Sequence, residues 1–255
     1  MNDYFSRSEV LLGAERMKRL RTIRVILFGV GGVGSWCAEA LIRTGLMHLT
    51  IVDGDTVQPS NVNRQLPATR ETIGRPKVEV LRERLLSINP EAEIEALPMY
   101  YEAVSMPGGV KGLTDEGVKG LRIEDLSGYD YVIDAIDSVP AKTDLILRAT
   151  RTKGVKIYSS MGAALRFDPT LVTTGELMSI KGDALANAVR SRMKRLGAKP
   201  SKRVRCVYST EQAMPIHGTA HFADGIQTET PVKGSLMQVT AVFGCVLASL
   251  VVKNL

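Results

Sequence analysis

The sequence has too few cysteines, wrongly spaced, for a metal ribbon or a disulfide framework. Only Cys37, Cys206 and Cys245 occur among 255 residues, and no two share a CxxC spacing, which argues against zinc and fits a reducing cytoplasm. Acid is also in short supply: 27 aspartates and glutamates face 33 lysines and arginines, a formal net charge of +6. That balance favours an anionic partner without specifying one. The opening residues, Met1-Asn-Asp-Tyr-Phe-Ser-Arg, hold no apolar signal core, so export is not expected. Internal repeats and low-complexity tracts are missing as well. The apolar stretch 236–252 would rise about 25 Å as a helix, short of a roughly 30 Å bilayer core, and is expected to be a buried or dimer-interface helix rather than a membrane span. What remains, 44% hydrophobic and 24% charged residues, is ordinary globular composition.

The most informative stretch is 23–64. An apolar run at 23–28 reads as a strand, followed by Gly29-Val-Gly31-Gly32-Val-Gly34, a helix over 35–43, and a second strand at 48–52 that ends on Asp53. Strand, glycine turn, helix, strand and acid make the first unit of a nucleotide-binding, doubly wound, mostly parallel α/β sheet of Rossmann type. Gly29, Gly31, Gly32 and Gly34 let the backbone approach a phosphate, and Asp53 can accept hydrogen bonds from a ribose diol. Beyond the strand stand Asp53-Gly-Asp55, then Ser60-Asn61-Val-Asn63-Arg64-Gln65 and Arg75-Pro76-Lys77. A dehydrogenase has little use for cations there, whereas a site that cleaves a triphosphate needs them to hold the phosphates and the leaving pyrophosphate. This order of motifs resembles the superfamily of ubiquitin-activating enzymes and the bacterial adenylyltransferases that activate sulfur-carrier proteins.

Further along, a helix is expected over 78–88, a strand over 93–97, an irregular excursion over 100–120, a strand running from 130 into Asp137 and Ser138, and a strand over 155–159. Carboxyl ends of parallel strands line the ligand crevice, so Asp137 is expected to face Asp53 and the glycine turn. A carboxylate beside a triphosphate makes sense as a Mg²⁺ ligand, with Ser138 also opening the next helix. Residues 8–20 read as one helix. Arg7, six residues before Gly13, is either a solvated charge at its start or, as the superfamily's Arg-x-x-x-Leu-x-Gly pattern implies, a residue that reaches a neighbouring subunit's ATP. Residues 190–205 hold Arg190, Arg192, Lys194, Arg195, Lys199, Lys202, Arg203 and Arg205 and no acid, a candidate phosphate-backbone footprint against the alternative of a solvated helix face. His217 and His221 are spaced like metal ligands on a helix, but Pro215 and Gly218 make the pair an incidental one in a loop. Cys206 and Cys245 lie in apolar contexts that predict buried, inert thiols.

Sulfur-carrier adenylyltransferases usually carry two CxxC pairs, which this chain lacks. Gly31-Gly-Val-Gly-Ser-Trp36, Asn63-Arg-Gln65, Tyr131-Val-Ile-Asp-Ala-Ile-Asp-Ser138, Asp168-Pro-Thr170, Cys206-Val-Tyr-Ser-Thr-Glu211 and Gln238-Val-Thr-Ala-Val-Phe-Gly244 resemble the tRNA threonylcarbamoyladenosine dehydratases over nearly the whole chain. The resemblance implies a single adenylation domain over 1–255, with a nucleotide-binding core at 1–165 and a tRNA-contacting, dimer-forming extension at 166–255. It implies ATP and Mg as cofactors. The nucleotide would be held by Gly29, Gly31, Gly32, Gly34, Asp53, Asp55, Asn61, Arg64, Lys77, Asp137 and Ser138, and catalysis carried by Arg64, Lys77, Asp137 and a neighbour's Arg7. Implied partners are tRNA bearing threonylcarbamoyladenosine, a second copy of the chain, and a sulfur-transfer protein of the cysteine desulfurase type. Rival readings are activation of a carrier protein's C-terminal Gly-Gly, an NAD-binding oxidoreductase, and a non-catalytic tRNA-binding protein.

Overall fold

The computed structural model describes residues 3–102, 126–215 and 233–255. Their strands form one sheet in the order β3-β2-β1-β4-β5-β7-β6. Its members are β1 (Arg24–Phe28), β2 (His48–Val52), β3 (Glu93–Leu97), β4 (Tyr131–Asp134), β5 (Lys156–Ser160), β6 (Val172–Glu176) and β7 (Arg205–Ser209). All neighbours are parallel except β6, an antiparallel edge strand on β7. The chain winds outward from β1 through β2 to β3, then returns to place β4 on β1's other side. That reversal is the topological switch point, where open α/β sheets bind ligands at the strands' carboxyl ends.

Alternation along the strands separates two apolar layers. Val25 and Leu27 of β1 join one core and Ile26 and Phe28 the other. Helices α2 (Ala14–Thr22), α3 (Gly34–Thr44), α4 (Lys77–Ile88) and α7 (Met237–Lys253) supply the first layer; α5 (Val139–Arg151) and α6 (Ala184–Arg195) supply the second. Coverage on both faces explains the continuous apolar run Val25-Ile-Leu-Phe28 of β1.

Several sequence expectations change. The helix over 8–20 is two helices, α1 (Ser6–Leu12) and α2, because Gly13 takes φ +80°, ψ 157° between them. The fourth strand stops at Asp134, three residues before Asp137, and Asp134 is buried. Cys206 is buried as expected, but Cys245 on α7 is exposed. Strand β6 was not anticipated: Val172-Thr-Thr174 suits a strand, but the run is short and ends at Gly175, and it pairs with β7 alone. The 100–120 excursion falls largely, and His217 and His221 fall wholly, outside the described residues.

Helix α7 is buried against α3 along Val239, Phe243, Leu247 and Val251. A Cβ at Gly244 would lie 2.5 Å from the Val33 carbonyl oxygen and 2.8 Å from Trp36 Cβ, so the helices touch through backbone. Gly244→Ala is therefore expected to cost about 1–3 kcal/mol by overpacking; an unchanged Tm would show that α7 does not seat there. Among the described residues no helix is long and apolar enough to cross a membrane.

Candidate active site

The glycine turn is built by backbone crowding. Gly29 has φ +85°, and a Cβ on it would lie 2.7 Å from the Ala135 carbonyl oxygen; one on Gly34 would lie 1.8 Å from the Gly29 carbonyl oxygen. Side chains are thus excluded at both ends of the turn, and the segment leaving β4 is pressed against it. No side chain caps α3, so its N-terminal N–H groups and dipole are available to phosphate oxygens. Ser35 Oγ donates to the Gly31 carbonyl oxygen at 2.6 Å and accepts from Leu66 N at 3.3 Å, tying the turn to the 59–66 loop.

Asp53 sits at the carboxyl end of β2 with both oxygens engaged. Oδ2 accepts from Val30 N at 2.8 Å and Oδ1 from Asp55 N at 2.9 Å. Burial raises its pKa, opposed by the Asp55 N–H and the charge of Lys77. Each carboxylate oxygen retains a lone pair, so Asp53 both holds the turn and can accept from a diol. Asp55 accepts from Lys77 Nζ at 2.7 Å and from Tyr100 OH at 2.6 Å. Burial alone would raise Asp55, but these two donors outweigh it and the net direction is downward. The Tyr100 phenol is pushed up to about 12, chiefly by its bond to Asp55. A Cβ on Gly54 would lie 2.6 Å from the Tyr100 ring, so glycine there lets the ring lie flat over the strand end. Tyr100 has no motif signal in sequence.

On the other side, Asn61 lies in a 3-10 turn, Pro59–Asn61, where its Oδ1 accepts from Gln58 N at 3.0 Å. Arg64 Nη1 donates to the Ser60 carbonyl oxygen and to Asn63 Oδ1, both at 2.9 Å, while Trp36 Nε1 donates to the Arg64 carbonyl oxygen at 3.1 Å. Arg64 Cγ would be 3.4 Å from a Cβ on Gly32, which sets the guanidinium stem against the turn. Burial lowers its pKa, yet arginine stays charged at any working pH.

Asp137 and Ser138 are exposed on the segment that continues from Ala135. Among the described residues Asp137 makes no hydrogen bond or ion pair, and Ser138 is the N-cap of α5 without a side-chain cap bond. Beneath them lies a pair the sequence reading missed. Lys142 and Asp134 are fully buried; Lys142 Nζ donates to Asp134 Oδ2 at 2.7 Å and to the Ser160 carbonyl oxygen at 2.9 Å, and Ser159 Oγ donates to Asp134 Oδ2 at 2.6 Å. Asp183 is a second omission. One oxygen caps α6 through Ala186 N at 2.8 Å and the other accepts from Gly162 N at 3.1 Å, so the loop after β5 is tied to the helix that opens the basic stretch.

The structure brings the glycine turn, Asp53, Asp55, Lys77, Asn61, Arg64 and the Asp137 segment together at the β1/β4 switch point. Arg7 is not brought there by its own chain. It is exposed on α1, and Phe5, just before that helix, packs near Gly45 at the far end of α3 from the turn. The basic cluster starts in α6 and runs away from the crevice. Arg190 is latched to the Leu177 carbonyl oxygen and Asn187, Lys202 to the Thr152 carbonyl oxygen, and Arg192 is half-buried. Lys194, Arg195, Lys199, Arg203 and Arg205 are exposed. Burial pushes the Cys37 and Cys206 thiols up, which leaves them poor nucleophiles.

A glycine turn, an acid and converging cations at a switch point define a nucleotide-binding α/β protein with a site suited to triphosphates. The chain belongs to the ThiF family, whose sequence model matches residues 5–255. It is 38% identical over 212 residues to tRNA threonylcarbamoyladenosine dehydratase of Bacillus subtilis, covering 83% of this chain and 76% of that protein. The crystal structure of E. coli tRNA N6-threonylcarbamoyladenosine dehydratase, TcdA, in complex with ATP superposes with a TM-score of 0.79 at 30% identity, covering 99% of this chain and 93% of that one. A sulfur carrier protein adenylyltransferase of Thermus thermophilus, by contrast, is 32% identical over only 55% of this chain and 46% of its own length.

Proposed function

We propose that the protein dehydrates threonylcarbamoyladenosine next to the tRNA anticodon, closing a ring at the expense of ATP. The observation that supports this best is the convergence of Arg64, the Lys77–Asp55 pair and an uncommitted Asp137 on the glycine turn, in a chain whose similarity to the Bacillus and E. coli dehydratases extends past the nucleotide core. ATP binds with its phosphates on the turn and the α3 N-terminus and its ribose on Asp53. Asn61 and Arg64 hold the triphosphate, and Lys77, kept in place by Asp55, adds charge beside it. Mg²⁺ is usually held by one or two carboxylates together with substrate phosphates. Asp137, an exposed carboxylate on the segment that leaves β4 and packs on the glycine turn, fits that pattern. When bound, the ion neutralises phosphate charge.

The threonyl carboxylate attacks the α-phosphorus and expels pyrophosphate. The side chain's carbamoyl group then attacks the acyl carbon, loses a proton and releases AMP with one former carboxylate oxygen, so the nucleoside is lighter by one water. The chain's own contribution is alignment and charge compensation. Arg7 reaches the site from the second subunit of a homodimer, and residues 190–205 meet tRNA phosphates.

The test is AMP release from ATP with purified protein, Mg²⁺ and modified tRNA, against unmodified tRNA. Release only with modified tRNA, with a nucleoside one water lighter, is the expected result. Silence with tRNA, together with pyrophosphate exchange driven by a Gly-Gly-ended carrier protein, would move the assignment to carrier activation.

A further inference from the structure

Two local rules are broken side by side just beyond β5. Leu165 has φ +61°, the one positive φ on a non-glycine residue among the described residues, a conformation that costs an ordinary side chain on the order of 1–3 kcal/mol and is retained where something over-determines it. The next residue, Arg166, is 5% exposed, yet its Nε and Nη1 have no hydrogen-bond partner among the described residues. A guanidinium cannot escape burial by losing its proton, and a buried, unpaired charge is among the costlier features a fold can carry.

Carboxylates stand close in the chain but are used elsewhere. Glu211 accepts from Phe167 N at 3.0 Å and Asp168 N at 3.1 Å, and Asp168 accepts from Thr170 N at 2.8 Å. The segment is also fastened to the candidate site. Leu165 N donates to the Gly234 carbonyl oxygen at 2.9 Å, and the next carbonyl, that of Ser235, accepts from Asn63 Nδ2 at 2.9 Å. Leu165, beside Arg166, is thus tied through Gly234 and Ser235 to Asn63, the neighbour of Arg64. Arg166 stands on the β5 side of the crevice, across from the ribose end marked by Asp53.

We propose that Arg166 receives the threonyl carboxylate of the modified nucleoside and holds it for attack on the α-phosphorus. This rests on the dehydratase reading, which places that carboxylate at the carboxyl ends of β4 and β5. A carboxylate supplies the paired acceptors a guanidinium matches, and no other part of an adenosine distinguishes modified from unmodified tRNA by a full charge. A tRNA backbone phosphate offers the same chemistry, and the experiment separates the two.

The measurement is the binding of modified and unmodified tRNA to wild type, Arg166→Met and Arg166→Lys, with ATP affinity and Tm alongside. Arg166→Met should weaken modified tRNA by at least about 30-fold, as expected for loss of one partner of a desolvated charge pair, with unmodified tRNA and ATP unchanged. Its Tm should hold or rise, because an unpaired buried charge has been removed; a structural arginine would lower it. Arg166→Lys keeps the charge without the planar fork and should discriminate at an intermediate level. Equal weakening of both tRNAs assigns a backbone phosphate and overturns the proposal, as does unchanged discrimination in either variant or a lowered Tm with discrimination intact. Failure of the dehydratase reading itself shows separately, as wild-type protein that neither prefers modified tRNA nor releases AMP with it.

Discussion

Arg64→Ala and Asp137→Ala should each cut AMP formation on modified tRNA at least about 100-fold, with tRNA binding largely intact, as for loss of one pre-placed group that stabilises transition-state charge. The two act from opposite sides of the glycine turn. Arg64 is half-buried, its stem against Gly32, its backbone pinned by Trp36 and its guanidinium aimed by Ser60 and Asn63. It is therefore in position before substrate arrives and reorganises little during reaction. Asp137 makes no hydrogen bond or ion pair among the described residues, so the effect of its loss should appear in the metal dependence of the rate. Arg64→Lys retains charge but not the fork that meets two acceptors at once, and should fall between wild type and alanine. Quench-flow or steady-state AMP release, paired with filter binding of tRNA, reads both quantities. Equal loss of tRNA binding and of AMP formation would remove these residues from the triphosphate site and place them on the tRNA.

The nucleotide core was legible because its signals are local. Strand β2 follows from an apolar run and β3 from the alternation of Glu93, Ile94, Glu95 and Ala96, and the glycine turn is a string of residues whose reason is steric and nearby: Gly34 against Gly29, Gly29 against Ala135. Asp53 was found for the right position but with part of its work unseen, since its grip on Val30 N joins residues 23 apart. What escaped sequence reading depends on distant partners. Lys142 lies in the first turn of α5 among Ala, Thr and Asp, where a lysine reads as solvated, and only the fold sets it beneath β4 and β5. Asp183 reads as a plain helix cap; its second bond, to Gly162, needs tertiary structure. Strand β6 has three β-branched residues before its glycine, too short a run to stand out, and is completed by pairing with the edge that β7 offers. Cys245 shows the reverse error, as an apolar neighbourhood in sequence leaves one helix face open to solvent.

The site's rigidity has a counterpart in stability. Lys142→Met should destabilise the protein by about 3–5 kcal/mol, because it strands Asp134 as a buried, uncompensated carboxylate; at this chain length that is a fall of roughly 10 °C in Tm. Ser159 Oγ and Ile136 N remain as donors to Asp134, and they solvate the charge without neutralising it. Asp134→Asn combined with Lys142→Met removes both charges while keeping an oxygen for Ile136 N. The double variant should recover most of the lost stability, as expected when both partners of a buried pair are replaced together. Activity separates scaffold from filler. The Ile136 N bond to Asp134 Oδ1, at 3.1 Å, fixes the first turn of the segment that carries Asp137, while Ala135 leans on Gly29. If the ion pair serves to hold that segment, the double variant regains Tm but keeps a reduced AMP-forming rate, with ATP affinity also weakened. Full recovery of both would reduce Lys142 and Asp134 to a space-filling pair and leave the placement of Asp137 to the backbone contact between Ala135 and Gly29 alone.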